Sequence, residues 1–235
     1  MNKDYVYAAI AGDIAGSKYE TTYPENVPDL KTMLDQGMFT DDTILTMAVM
    51  DSSSYDMYWS FKKWARKYER CGFSKNFTEH FFKKDEEENS HSSSNGALMM
   101  LSPLLDEDTF TNIESAVRVS HDCHEAVWLA KEYWKIMKGE TSVLEDCKVP
   151  YPDLLKEKKF CIDSFETLNR ALIILEWATD FEDGIRKAIL LGGDTDTQAA
   201  VVAPMLCKKF GLPDYVKNLV NKKLTGEMIE LLNSY

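Results

Sequence analysis

Apolar residues recur at steps of three and four along nearly the whole chain, and that spacing restricts it to one class of fold. Val6, Ala9, Ile10 and Ile14 share one helical face ahead of Gly16-Ser17, and Tyr58, Phe61, Ala65 and Tyr68 share another. The apolar pattern from Ile113 to Met137 is long enough for two helices. Asp122 followed by Glu125 has the form of a capping box that opens the second, and Gly139 closes it. Leu168, Ala171, Leu172, Leu175 and Ala178 form an amphipathic face opened by Asp163 and Glu166. Phe181, Ile185, Ala188 and Ile189 continue the period until Gly192-Gly193. Ala199, Val202, Ala203, Leu206 and Phe210 make a further helix, kinked at Pro204 and closed by Gly211 and Pro213. Strand alternation is absent apart from one short extended piece, Lys159-Phe160-Cys161-Ile162. The expectation is an all-α fold in a single domain over residues 1–235.

Two stretches lack the period and are expected as loops. Tyr19 to Gly37 contains Pro24 and Pro28, and Lys83 to Asn95 is charged and then serine-rich. The large side chains Met47, Trp59, Trp64, Trp128, Trp134 and Trp177 are assigned to the core. Hydrophobic residues at 44% argue against a disordered chain. A net charge of −12 argues against general binding of a nucleic-acid backbone. Five scattered cysteines (Cys71, Cys123, Cys147, Cys161, Cys207) form no C-x-x-C pair, so neither a zinc knuckle nor a disulfide framework is indicated, and a cytoplasmic location fits. Met1 to Tyr7 lacks a signal-peptide core, and no window approaches the roughly 18 apolar residues of a membrane span.

The chemistry concentrates in two acidic clusters, each ahead of an apolar run: Phe39-Thr40-Asp41-Asp42-Thr43, and Gly192-Gly193-Asp194-Thr195-Asp196-Thr197. Carboxylates with flanking hydroxyls, offered from the first turn of a helix, suit a hard cation such as Mg²⁺. The helix dipole keeps carboxylates there ionised and available. Asp41, Asp42, Asp194, Asp196 and Glu20 would together bring a charge of −5 to one pocket, which two divalent ions reduce to −1. Asp and Thr are also the residues that cap helices, and either motif alone fits capping as well as ligation.

These motifs, with Ala11-Gly12-Asp13-Ile14-Ala15-Gly16-Ser17, Asn95-Gly96-Ala97 followed by Pro103, and Ser120-His121, occur in an order that resembles the ADP-ribosylglycohydrolase family from Ala9 to about Pro213. The resemblance implies an orthogonal helical bundle with a cleft holding two Mg²⁺ ions, with Mn²⁺ as an alternative. Thr40, Asp41 and Asp42 would hold one ion, and Asp194, Asp196 and Thr197 the other. Asp41 is also counted among the catalytic groups. Gly16-Ser17-Lys18-Tyr19-Glu20 resembles the branch whose glutamate activates the attacking water, which assigns that role to Glu20. Its alternative is a surface carboxylate. Ser94, Asn95, Gly96 and Ala97 would wrap the substrate's diphosphate, with His121 and Gly193 also lining the pocket, although a lone histidine fits a helix-start contact equally well. One departure stands out: the family arginine after N-G-A-x-M is Met100 here, which removes a charge-assisted anchor.

The implied reaction is hydrolysis of the glycosidic bond of an ADP-ribosylated protein or small molecule, releasing ADP-ribose, with no nucleic acid or membrane as partner. Two other classes stay open on the residues alone. One is a two-metal phosphatase or pyrophosphatase acting on a nucleotide, and the other is a module that binds ADP-ribose without turnover.

Overall fold

The computed structural model describes residues 1–52, 56–82, 91–146 and 149–235. Its described residues form α-helices and no sheet: α1 (Lys3–Ser17), α2 (Leu30–Gln36), α3 (Asp41–Met50), α4 (Met57–Lys67), α5 (Lys75–Phe81), α6 (Gly96–Met99), α7 (Thr111–Ser120), α8 (His124–Lys138), α9 (Tyr151–Leu154), α10 (Ser164–Trp177), α11 (Phe181–Leu190), α12 (Thr195–Phe210), α13 (Asp214–Asn221) and α14 (Gly226–Ser234). Three isolated bridges, Thr22 with Gly193, His91 with His121 and Ser94 with Asp163, replace any ladder. The 159–162 piece is not a strand, although the Ile162 carbonyl accepts the Asn95 amide at 2.8 Å.

The centre of the fold is the pair α1 and α12, the most extensive helix–helix contact in the molecule. α1 is buried on every face from Tyr5 to Gly16, and α12 from Thr195 to Cys207. Small residues make this possible. A side chain at Gly12 would overlap the Ala199 carbonyl, and one at Gly16 the Thr195 carbonyl, so the two backbones meet at a distance only glycine allows. The Thr195 hydroxyl donates to the Gly16 carbonyl at 2.8 Å and fixes the register of the pair. α10 and α11 then pack on α12, and α2, α3 and α13 on α1.

Most helix boundaries follow the local signals. Asp163 accepts from the Glu166 amide at 2.9 Å and opens α10, and Gly139 ends α8 at φ +80°. Four expectations are corrected. The stretch read as a loop from Tyr19 to Gly37 contains α2, a seven-residue helix capped by Asp29 on the Thr32 amide and anchored by Leu30, Met33 and Leu34. α8 is capped by Cys123, not Asp122, because the Asp122 carboxylate is held by Arg118 at 2.6 Å. Trp59 and Trp177 are exposed, whereas Trp64 is buried. Met100 is fully buried in the hydrophobic core, so the position of the family arginine does not face the cleft. Residues 83–90 of the second loop and Cys147 lie outside the described residues, and the other four cysteines are free thiols. No described helix is long and apolar enough to cross a membrane.

Candidate active site

Six of the described helices begin under their own cap: Asn2, Asp29, Ser74, Cys123, Asp163 and Asp180 each accept an amide of the turn they open. α3 and α12 do not. Neither Thr40 nor Asp194, at their N-caps, makes a side-chain capping bond. The amides at the start of α3 turn instead to α1. Asp13 Oδ2 accepts the Thr40 amide at 2.9 Å, the Thr43 amide at 3.1 Å and the Thr43 hydroxyl at 2.5 Å, while its Oδ1 accepts the Thr40 hydroxyl at 2.7 Å. With their helix starts satisfied or left open, the acidic side chains of both motifs point into a common cleft.

That cleft has a volume of about 280 Å³, and the two motifs form its floor. Thr197 Oγ1 donates to Asp42 Oδ2 at 3.3 Å and ties them together. One carboxylate oxygen from each of Asp13, Asp42 and Asp196 lies within 4.8 Å of the others. Asp42 Oδ1 is buried and has no hydrogen-bond partner among the described residues. Crowding of this kind disfavours ionisation. Burial, then Asp13, pushes Asp41 up to about 7, and burial with Asp194 and Asp13 pushes Asp196 up to about 9. Burial, then the neighbouring Asp196 and Asp13, also holds Asp42 well above the usual range. Asp13 rises to about 6 through burial alone, since its four donors favour the anion.

Glu20 stands at the rim of the same cleft, exposed, its carboxyl raised by partial burial and by Asp194. Its delivery costs backbone strain: the next residue, β-branched Thr21, sits at φ +63°. Gly193 holds that turn in place, accepting from the Thr21 amide at 2.7 Å and donating to the Thr22 carbonyl at 2.8 Å. Gly193 does not line the cleft, since its backbone is fully engaged with this turn. Its own φ of +81° is one that side chains rarely adopt, and a Cβ there would lie only 3.1 Å from the Phe160 backbone.

The opposite wall is the Ser92–Gly96 loop and the start of α6. Asn95 Nδ2 donates to Asp194 Oδ2 at 2.7 Å, a contact between the two halves that the sequence did not disclose. Ser94 Oγ lies 3.0 Å from His121 Nε2, and Ser120 Oγ 2.8 Å from His121 Nδ1, which forms a buried hydroxyl–imidazole chain open to the cleft at Ser94. Burial holds His121 down to about 4, so it is neutral at pH 7. Ser94, Asn95, Gly96 and His121 line the cleft, whereas Ala97 is buried behind them. Phe160 and Ile162 complete the wall and remain exposed. Asp13 was not legible as a site residue, although a lone acid inside the apolar run from Val6 to Ala15 was a signal.

The donor set fits a hard divalent cation. It is all oxygen, no lysine or arginine lines the cleft among the described residues, and a buried carboxylate oxygen is left without a partner there. An unpaired buried carboxylate is costly, and a cation between α3 and α12 removes that cost.

The profile of the ADP-ribosylglycohydrolase family matches residues 3–231. A solved structure described as an ADP-ribosylglycohydrolase-related protein complex superposes with a TM-score of 0.69 at 21% identity, covering 98% of this chain and 96% of that one. At that identity the likeness is one of fold. No curated protein matches the sequence.

Proposed function

Because the chain belongs to the ADP-ribosylglycohydrolase family, we propose that it hydrolyses the glycosidic bond at the anomeric carbon of an ADP-ribosylated protein or small molecule, releasing ADP-ribose and reversing the modification with divalent cations, Mg²⁺ foremost, between α3 and α12. The observation that carries this reading is Asp42 Oδ1, buried and unpartnered among carboxylates that no lysine or arginine of the described cleft residues offsets. Thr40, Asp41 and Asp42 would hold one ion, and Asp194, Asp196 and Thr197 a second. Bound there, such ions supply Lewis-acid polarisation and a template for the ribose hydroxyls.

The remaining work falls to the chain's own groups. Glu20 sits at the rim with its carboxyl raised by partial burial and by Asp194, the direction that makes a carboxylate a better base, and takes the proton of the attacking water. Asn95 fixes the orientation of Asp194 through their 2.7 Å bond. The Ser94 hydroxyl, backed by His121, offers an uncharged donor to a diphosphate, which suits a cleft with no lysine or arginine among its described residues. Phe160 and Ile162 exclude water from one side.

Incubation with arginine-linked and serine-linked ADP-ribosyl peptides, with and without Mg²⁺, followed by mass analysis of the products, tests the proposal. Free ADP-ribose formed only with the cation is the expected result. AMP with ribose phosphate would reassign the chain to diphosphate cleavage, and binding without turnover would make it a recognition module.

A further inference from the structure

Asp13 belongs to neither acid motif, yet it is fully buried at their junction. An acid here could be a third ligand, since its carboxylate lies within 4.8 Å of those of Asp42 and Asp196. Its hydrogen bonds argue for a different task. Both oxygens already accept donors, four in all, from Thr40 and Thr43. Asp42 Oδ1, by contrast, has none. One residue turn further along α1, the Gly16 carbonyl accepts the Thr195 hydroxyl at 2.8 Å. A single stretch of α1 therefore grips the first turn of α3 through Asp13 and the first turn of α12 through Gly16.

We propose that Asp13 is a positioning residue, which caps α3 from outside and sets the distance and aim of the Thr40-Asp41-Asp42 set toward the Asp194-Thr195-Asp196-Thr197 set, without itself ligating the cation. The arrangement frees the motif residues from capping their own helix. It rests on the metal-dependent reading above, but its own contacts are separable from that reading.

Asparagine distinguishes the two roles. Its carbonyl can take the place of Oδ2 and accept the Thr40 amide, the Thr43 amide and the Thr43 hydroxyl, while its amino group donates to the Thr40 hydroxyl, which is able to accept. A positioning role survives that exchange, whereas a ligand role does not, because the amino group carries no lone pair for a cation. Calorimetric titration of wild type, Asp13→Asn and Asp13→Ala with Mg²⁺ and with Mn²⁺ reads the difference, alongside amide exchange at Thr40 and Thr43. Asp13→Ala is expected to lose about 10–100-fold in cation affinity, the usual range for an orienting partner, and to expose both amides. Asp13→Asn is expected to keep both amides protected and to lose less than that range.

Equal losses of affinity in Asp13→Asn and Asp13→Ala would make Asp13 a ligand and overturn the proposal. Wild-type affinity and protection in Asp13→Ala would overturn it as well. If Asp13→Ala does not fold, Thr43→Val removes one of the four donors and should weaken cation binding and Thr43 protection in the same direction, and unchanged behaviour counts against the proposal. A wild-type protein that binds neither cation would defeat the metal reading instead, and amide protection would still decide what Asp13 does.

Discussion

Withdrawing the cation should make stability depend on pH in the direction opposite to ordinary acid denaturation. Aspartates in an unfolded chain ionise near 3.9. In the fold, burial and mutual repulsion hold Asp41 at about 7 and Asp196 at about 9, with Asp42 also raised. Between those limits the metal-free folded protein keeps protons that the unfolded chain has lost. Its stability is therefore full at low pH and declines as the pH climbs toward the folded values, by ~1.4 kcal/mol per pH unit for each such proton. Three other groups overlay this, in two ways. His121, held down to about 4, contributes stability that is lost as the pH falls below about 6.5. Cys161 and Cys207, pushed up to about 11 and about 12 by burial, add a decline only toward alkaline pH. Both overlays cancel in the difference between cation-saturated and metal-free protein at the same pH. A bound cation requires ionised carboxylates and displaces their protons. The gap in stability should then widen by ~1.4 kcal/mol per pH unit for every proton displaced, roughly 3–5 °C in Tm for a chain of 235 residues. Scanning calorimetry of Mg²⁺-saturated and EDTA-treated protein between about pH 6 and about pH 8 measures that gap. A gap that stays constant or narrows over this range refutes the reasoning.

Glu20→Gln should lose about 10²–10⁴-fold in single-turnover rate while binding ADP-ribose calorimetrically as wild type does, and an unchanged rate would place the base elsewhere. Asp42→Asn should abolish turnover yet melt above wild type when both are metal-free, since it removes a buried carboxylate with an unpartnered oxygen. A lower melting temperature for that variant would count against the electrostatic account. Gly12→Ala should destabilise by about 1–3 kcal/mol in urea unfolding, because overlap with the Ala199 backbone outweighs the ~1 kcal/mol helical preference for alanine. A neutral or stabilising effect would show that α1 and α12 do not approach so closely.

What the sequence disclosed and what it withheld divide along a physical line. Periodicity, caps such as Asp163 and the stop at Gly139 are local, so α1, α3, α10, α11 and α12 were all legible. The two acid motifs were also visible, but their use was not. An aspartate or threonine opening a helix serves as a cap or as a ligand with the same spelling. Asp29, Asp163 and Asp180 accept amides of their own helices, whereas Thr40 and Asp194 do not. No residue within α3 decides this. The Thr40 and Thr43 amides are taken by Asp13, a residue brought there because Gly12 and Gly16 let α1 press against α12 while α3 packs on both helices. The same tertiary packing joins Asn95 to Asp194 and leaves Asp42 Oδ1 without a donor. A helix start whose amides are satisfied from outside can direct its own carboxylates elsewhere, and in this fold the other acid motif lies where they point.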